Sequence, residues 1–258
     1  MAEAATRKMQ LICIHTPPVS DEWVHYTRYL ADLLGVDPAY RETATPAGEQ
    51  DLILFHEPPS SWWQRILGWT VPERLARRGP ASVLAVRHLR WPLTRILLIF
   101  RATPADAAAV AWASALAGPA GAAVTVLPIL PPIPALYAPL QGPPVAVDRL
   151  LAANTPAAIR LRRLSEQFAC WQIPATIHLG WGEPLWQLRT EMAAGAYDLV
   201  IAGADPAGWL YRFLVGDLVG PLLRCAGCPV LVARNLPGRH PEEVRSLDWQ
   251  TSNYLPFR

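Results

Sequence analysis

Residues 51–87, DLILFHEPPSSWWQRILGWTVPERLARRGPASVLAVR, lie without a gap over residues 198–234, DLVIAGADPAGWLYRFLVGDLVGPLLRCAGCPVLVAR, at a constant offset of 147. Eleven positions are then identical: Asp51/Asp198, Leu52/Leu199, Pro59/Pro206, Trp62/Trp209, Arg65/Arg212, Leu67/Leu214, Leu75/Leu222, Arg77/Arg224, Val83/Val230, Leu84/Leu231 and Arg87/Arg234. Each copy reads as a buried strand, a turn, an amphipathic helix and a second buried strand. A chain that carries this unit twice is built as two related halves, and that restricts its fold more than any composition does.

The rest of the chain fits the same plan. TRILLIF (94–100) is a continuous apolar run suited to a strand covered on both faces, followed by a turn and an alanine-rich helix ending near GPAG. AAVTVLPIL (122–130) is a second strand, and a proline-rich loop leads to a helix over AVDRLLAANTPAAIRLRRLSEQFACW, interrupted or begun near Pro156. PATIHLGWG (174–182) is a third strand and EPLWQLRTEMAAGA a third helix. Strands alternating with helices predict right-handed crossovers and a parallel sheet. In the first half MQLICIHTPP and SDEWVHYTRYLADLLGV mirror RILLIFRATP and ADAAAVAWASALAG at an offset of 86 to 87, with AYRETAT as second strand. The jump from that offset to 147 means that about sixty residues, worth a helix, a strand and a helix, are missing from the first half. QLICIHTP is either the central first strand or, if that strand is lost, the second; the former keeps the centre and sacrifices only an edge.

The 258 residues are 52% hydrophobic and 17% charged, a packed globular composition. A net charge of +2 exerts no strong pull on nucleic acid or an anionic membrane, and the only lysine is Lys8, which excludes a phosphate-loop lysine and Schiff-base chemistry from the body of the chain. The interval between Asp106 and Asp148 carries no charge, but its prolines and glycines break it below the roughly 20 apolar residues of a spanning helix. The apolar run at the N-terminus is too short for a secretory signal, so the reading is a cytoplasmic protein with its four cysteines reduced. Cys225 and Cys228 form CAGC at a helix C-terminus, where the dipole disfavours thiolates, and read as ordinary buried thiols.

On the segments RILLIFRATPADAAAVAWASALAG, DLVIAGADPAGWLYRFLVGDLVGPLLRCAGCPVLVAR and the weaker copy at 51–87, the chain resembles the universal stress protein family, and specifically members with two such units in one chain. The resemblance implies two Rossmann-like α/β lobes: an abridged one over 9–87, a complete one over 94–234 with strand order 3-2-1-4-5, and a polar tail over 235–258. It also implies pairing through the last strands. SVLAVR and PVLVAR would each be a bare apolar edge alone, so Val83, Leu84 and Val86 are expected against Val230, Leu231 and Val232 in an intramolecular pseudo-dimer, with further homodimerisation open.

Nucleotide-binding members of the family resemble one another in a G-x-x-G-(nine residues)-G-Ser/Thr loop after the fourth strand, where backbone N–H groups meet phosphate at a helix N-terminus. Here Gly203 and Gly216 keep the spacing. Pro206 replaces the second glycine and has no N–H, and Asp217 replaces the hydroxyl and would repel phosphate. Asp205 reads as an N-cap that would occupy the same donors. Arg101 stands where the resemblance implies an acid. The first copy has His56, Pro59, Trp69 and Thr70 at the loop positions. A nucleotide site, if one is kept, would use Arg101, Thr103, Gly203, Gly208, Gly216 and Asp217, with Arg101 reaching an anion in the crevice.

No nucleophile elbow or metal spacing occurs, and His15, His56 and His178 read as structural. Trp62, Trp63, Trp69 and Trp209, with Arg65 and Arg212 nearby, read as core or interlobe packing. The function expected is a non-enzymatic stress-response or regulatory module acting through an unidentified protein partner. No catalytic residue, metal or cofactor is expected, and neither nucleic-acid nor membrane contact. The alternatives are an ATP sensor, with weak hydrolysis at most, and a docking domain for a membrane transporter.

Overall fold

The computed structural model describes residues 9–14, 20–42, 48, 51–56, 79–129, 147–180, 183–204 and 219–237. In chain order its elements are β1 (Leu11–Ile14), α1 (Asp21–Leu34), β2 (Pro38–Arg41), β3 (Leu52–His56), β4 (Ser82–Val86), β5 (Arg95–Phe100), α2 (Asp106–Ala120), β6 (Ala123–Pro128), α3 (Val147–Ala152), α4 (Pro156–Cys170), β7 (Ala175–Ile177), α5 (Pro184–Ala194), β8 (Leu199–Gly203), α6 (Val219–Cys225) and β9 (Val230–Ala233). The second and third strands are shorter than the apolar runs that announced them, and the long helix is two, broken before Thr155. That residue caps the second of them through its side chain, with Pro156 in the first turn.

All nine strands form one sheet in the order β2-β1-β3-β4-β9-β8-β5-β6-β7. In the second half β7-β6-β5-β8-β9 is the 3-2-1-4-5 order, and in the first β1 lies between β2 and β3, the central place that β5 takes between β6 and β8. Among the described residues the first half has no third strand, and both ends of the sheet are short strands of four and three residues, β2 and β7. Short edges offer little template for pairing with other chains.

Every described pairing is parallel except one. β4 runs antiparallel to β9 with Val83 opposite Val232, Leu84 opposite Leu231 and Ala85 opposite Val230. Adding 147 to Val83 gives the partner of Ala85, adding it to Ala85 gives the partner of Val83, and adding it to Leu84 gives Leu84's own partner, so Leu84 and Leu231 sit on a pseudo-two-fold axis, an isologous contact made within one chain. Val86 corrects one expected contact: its ladder partner is His56 of β3. The position that would face it across the axis is Pro229, just before β9, which has no N–H to give. Two apolar layers run through the junction. One holds Leu84 and Leu231 beneath α1, α2 and α4, and the other holds Val83, Val230 and Val232 beneath α5 and α6.

Register also corrects the first-half alignment. Leu11 pairs with Leu52, and Ile96 with Leu199, so β1 answers β5 at an offset of 85 rather than 86 to 87. The helices agree: Asp21 and Asp106 begin α1 and α2 at the same offset, and one extra residue in α2 brings the C-cap glycines, Gly35 and Gly121, to 86, both at φ 64. This register explains the repeated aspartates. Asp51 accepts the backbone N–H of Gln10 at 3.1 Å, and Asp198 accepts that of Arg95 at 3.0 Å, so each copy ties the entrance of its fourth strand to the entrance of its first.

At one end of the junction a polar clasp is asymmetric. Ser82 Oγ accepts the N–H of Arg234 at 3.0 Å, and the Trp112 indole of α2 donates to the carbonyl of Asn235 at 2.8 Å. At the other end Arg87 donates to the carbonyl of Arg224 at 3.0 Å.

A candidate ligand crevice closed by the chain itself

Strand order reverses between β5 and β8, and a crevice outside their carboxyl ends is where open α/β sheets bind ligands. Arg101 leaves β5, Thr103 lies in the following turn, Asp106 begins α2 and Gly203 ends β8. Because β4 and β9 run antiparallel, the corresponding crevice of the first half opens at the opposite end of the sheet.

Arg101 is 4% exposed. Its guanidinium donates to the carbonyl of Gly203 at 2.6 Å, bridging the two strands at the point of reversal. Its backbone N–H and that of Thr103 donate to Asp106 Oδ2 at 3.0 and 2.8 Å. Ala102 between them is in the left-handed region, φ 56, and Arg160 of α4 donates to its carbonyl. Gly203 is pressed onto the turn: a Cβ there would stand 2.5 Å from the carbonyl oxygen of Ala105. The structure thus brings Arg101, Thr103 and Gly203 together. Gly208, Gly216 and Asp217, with Asp205, Pro206, Trp62, Trp63, Trp69 and Trp209, lie outside the described residues.

Asp106 and Arg160 carry much of this arrangement, and sequence reasoning missed both. The signal for Asp106 was available in the offset of 85, which makes it the partner of Asp21; that for Arg160 was not, since it comes from a helix with no counterpart among the described residues of the first half. Burial pushes the Asp106 carboxyl up to about 6, against the opposing pull of Arg101 and of the two N–H groups. A carboxyl raised on folding binds more protons in the folded than in the unfolded state between about pH 4 and 6. Stability from this group is therefore greatest at the acid end of that window and falls as pH rises through it. Measured against Asp106→Asn, which keeps an acceptor for both N–H groups, the natural chain should lose roughly 1–3 kcal/mol between pH 4 and 6; parallel urea profiles at the two pH values would refute the assignment.

In the first half His56 takes the place of Gly203. Its ring stacks on Trp23 of α1, centroids 4.7 Å apart and planes 20° apart, and burial holds it below the ordinary histidine value. The equivalent of Trp23 in α2 is Ala108. Both crevices therefore hold side chains of the chain itself, an arginine in one and an aromatic pair in the other. Among the described residues no group of three His, Cys, Asp or Glu side chains could hold a metal ion, and no helix is long and apolar enough to cross a membrane. Cys228 is a buried free thiol, raised by burial to about 11.

The model of the universal stress protein family matches residues 92–234, more than half of the chain. The chain belongs to the universal stress protein family. Among solved structures it is similar to a universal stress protein from Archaeoglobus fulgidus DSM 4304, at 14% identity and TM-score 0.55, covering 90% of this chain and 88% of that one. It is similar also to a functionally unknown protein from Pseudomonas aeruginosa PAO1, at 15% identity and TM-score 0.55, covering 93% and 94%. At such identities the likeness is one of fold, and it extends over both halves of this universal stress protein. A search of the curated proteins found no match.

Proposed function

We propose that this universal stress protein is a non-catalytic stress-response regulator that works by associating with another protein, its ancestral nucleotide crevice given over to structure. The observation that carries the reading is the 2.6 Å contact from the buried Arg101 guanidinium to the Gly203 carbonyl. An arginine committed between the strands at their reversal fills space that a ligand would need, and withdrawing it leaves a buried carbonyl without its donor. Pro206 and Asp217, which remove a phosphate donor and add a repelling charge, support the same reading from the sequence.

The test is calorimetric titration of the full chain with ATP and magnesium, after assay of the gently purified protein for bound nucleotide. The expected result is no bound nucleotide and no saturable heat at millimolar ATP. Stoichiometric binding would overturn the reading. If Arg101→Ala then abolished that binding, the arginine would be an anion receptor rather than a plug.

A further inference from the structure

Between Glu73 and Asp106 the sequence carries seven arginines and no carboxylate. The central part of that run, residues 87–95 (RHLRWPLTR), passes from the end of β4 to the start of β5 across the N-terminal ends of β9 and β8. Its last three residues are pinned. Leu93 is buried and its N–H donates to the Tyr29 hydroxyl at 2.9 Å. The Thr94 N–H and hydroxyl and the Arg95 N–H all donate to Asp198 Oδ2, at 2.9, 2.7 and 3.0 Å. The Trp91 ring leans on Tyr26 of α1 with centroids 6.0 Å apart, yet remains 41% exposed. His88 and Arg90 are exposed, and no described carboxylate pairs with either. The Arg95 guanidinium lies over the Tyr197 ring at 5.2 Å, and its residue too is exposed.

We propose that this strap is the docking site for an acidic, partly apolar segment of a protein partner, with Trp91 as anchor and Arg90 as the charge that pairs. A strap whose backbone is pinned and whose Trp91 ring already rests on Tyr26 loses little freedom on binding, and Trp and Arg are the residues whose contacts dominate protein interfaces. Residues 87–95 hold Arg87, Arg90 and Arg95 and no carboxylate, and Asp198 Oδ2 is taken up by three strap donors. A lipid surface fits less well, because a single aromatic half-covered by Tyr26 has little to insert. Single-stranded nucleic acid fits less well, because it needs a row of stacking rings. The proposal rests on the reading that the protein acts by association.

The test uses the full chain and a fluorescein-labelled peptide of alternating glutamate and leucine, followed by anisotropy at low and physiological salt. Saturable binding is expected, weakened by salt and weakened roughly fivefold or more by Arg90→Ser and by Trp91→Ala. Arg163→Ser, an exposed arginine on α4, should leave it unchanged, and Arg90→Glu should shift preference to a lysine–leucine peptide, which a merely unfolded variant would not do. Absence of binding, equal loss on Arg163→Ser, or tighter binding to phosphatidylserine vesicles or oligo(dT) would overturn it. A chain that bound ATP yet kept this peptide profile would refute the closed crevice alone.

Discussion

Alanine at position 203 is expected to destabilise the protein by about 2–3 kcal/mol, the range of overpacking in a core with no room to yield. The added Cβ meets the Ala105 carbonyl oxygen at 2.5 Å and its carbon at 2.8 Å. The obstacle is backbone, and that backbone is held: Asp106 accepts from Arg101 and Thr103, and Arg160 fixes the carbonyl of Ala102. Relief would come only by parting β8 from the turn, which lengthens the Arg101 contact to Gly203. The first half shows what a side chain at this place requires, since His56 is accommodated by a tryptophan stacked against it. Gly118, inside α2 with open space around its Cβ, is the control. Gly118→Ala should be neutral or gain about 0.5–1 kcal/mol from helix propensity. Urea denaturation of both variants decides the point; a Gly203→Ala loss below about 0.5 kcal/mol would show that the close approach carries no weight.

The repeat made the architecture readable, because the register of a parallel sheet follows from where equivalent strands sit in the chain. Matching Leu52 to Leu199 and Leu84 to Leu231 located the fourth and last strands of both halves and the edge at which they meet. The alignment slipped at β1, where apolar strands such as LICI and LLIF match at several offsets, and only the sheet register and the helix starts Asp21 and Asp106 chose among them. The crevice was half legible. Glycine and arginine at positions 203 and 101 were visible as departures from a phosphate loop, but that they contact one another depends on tertiary packing. Arg160 was illegible for the same reason: an arginine on an amphipathic helix reads as solvated surface until its neighbour is known. Trp23 and His56 are 33 residues apart, and nothing in their spacing announces a stack.

Truncation of either leucine on the pseudo-two-fold axis is expected to have the largest effect, about 3–5 kcal/mol for Leu231→Ala and similar for Leu84→Ala. Leu231 is fully buried and Leu84 1% exposed, and each faces the other across the antiparallel pair rather than solvent. Removing one leaves a cavity under α2, lined by residues of both halves, where the sheet pins the backbone and limits collapse. Because the two side chains share that space, the double variant should cost less than the sum of the single ones, with a coupling of about 0.5–3 kcal/mol. Unfolding should stay a single transition, with tryptophan fluorescence and far-ultraviolet circular dichroism coincident in urea, since both apolar layers run through the junction without interruption. Strict additivity, or two separated transitions in the natural chain, would mean that the halves are independent bodies that merely touch. A shared cost would mean that the last strands joined two cores into one, which explains how a first half about sixty residues shorter than the second remains folded: the axis supplies burial that the shorter half does not.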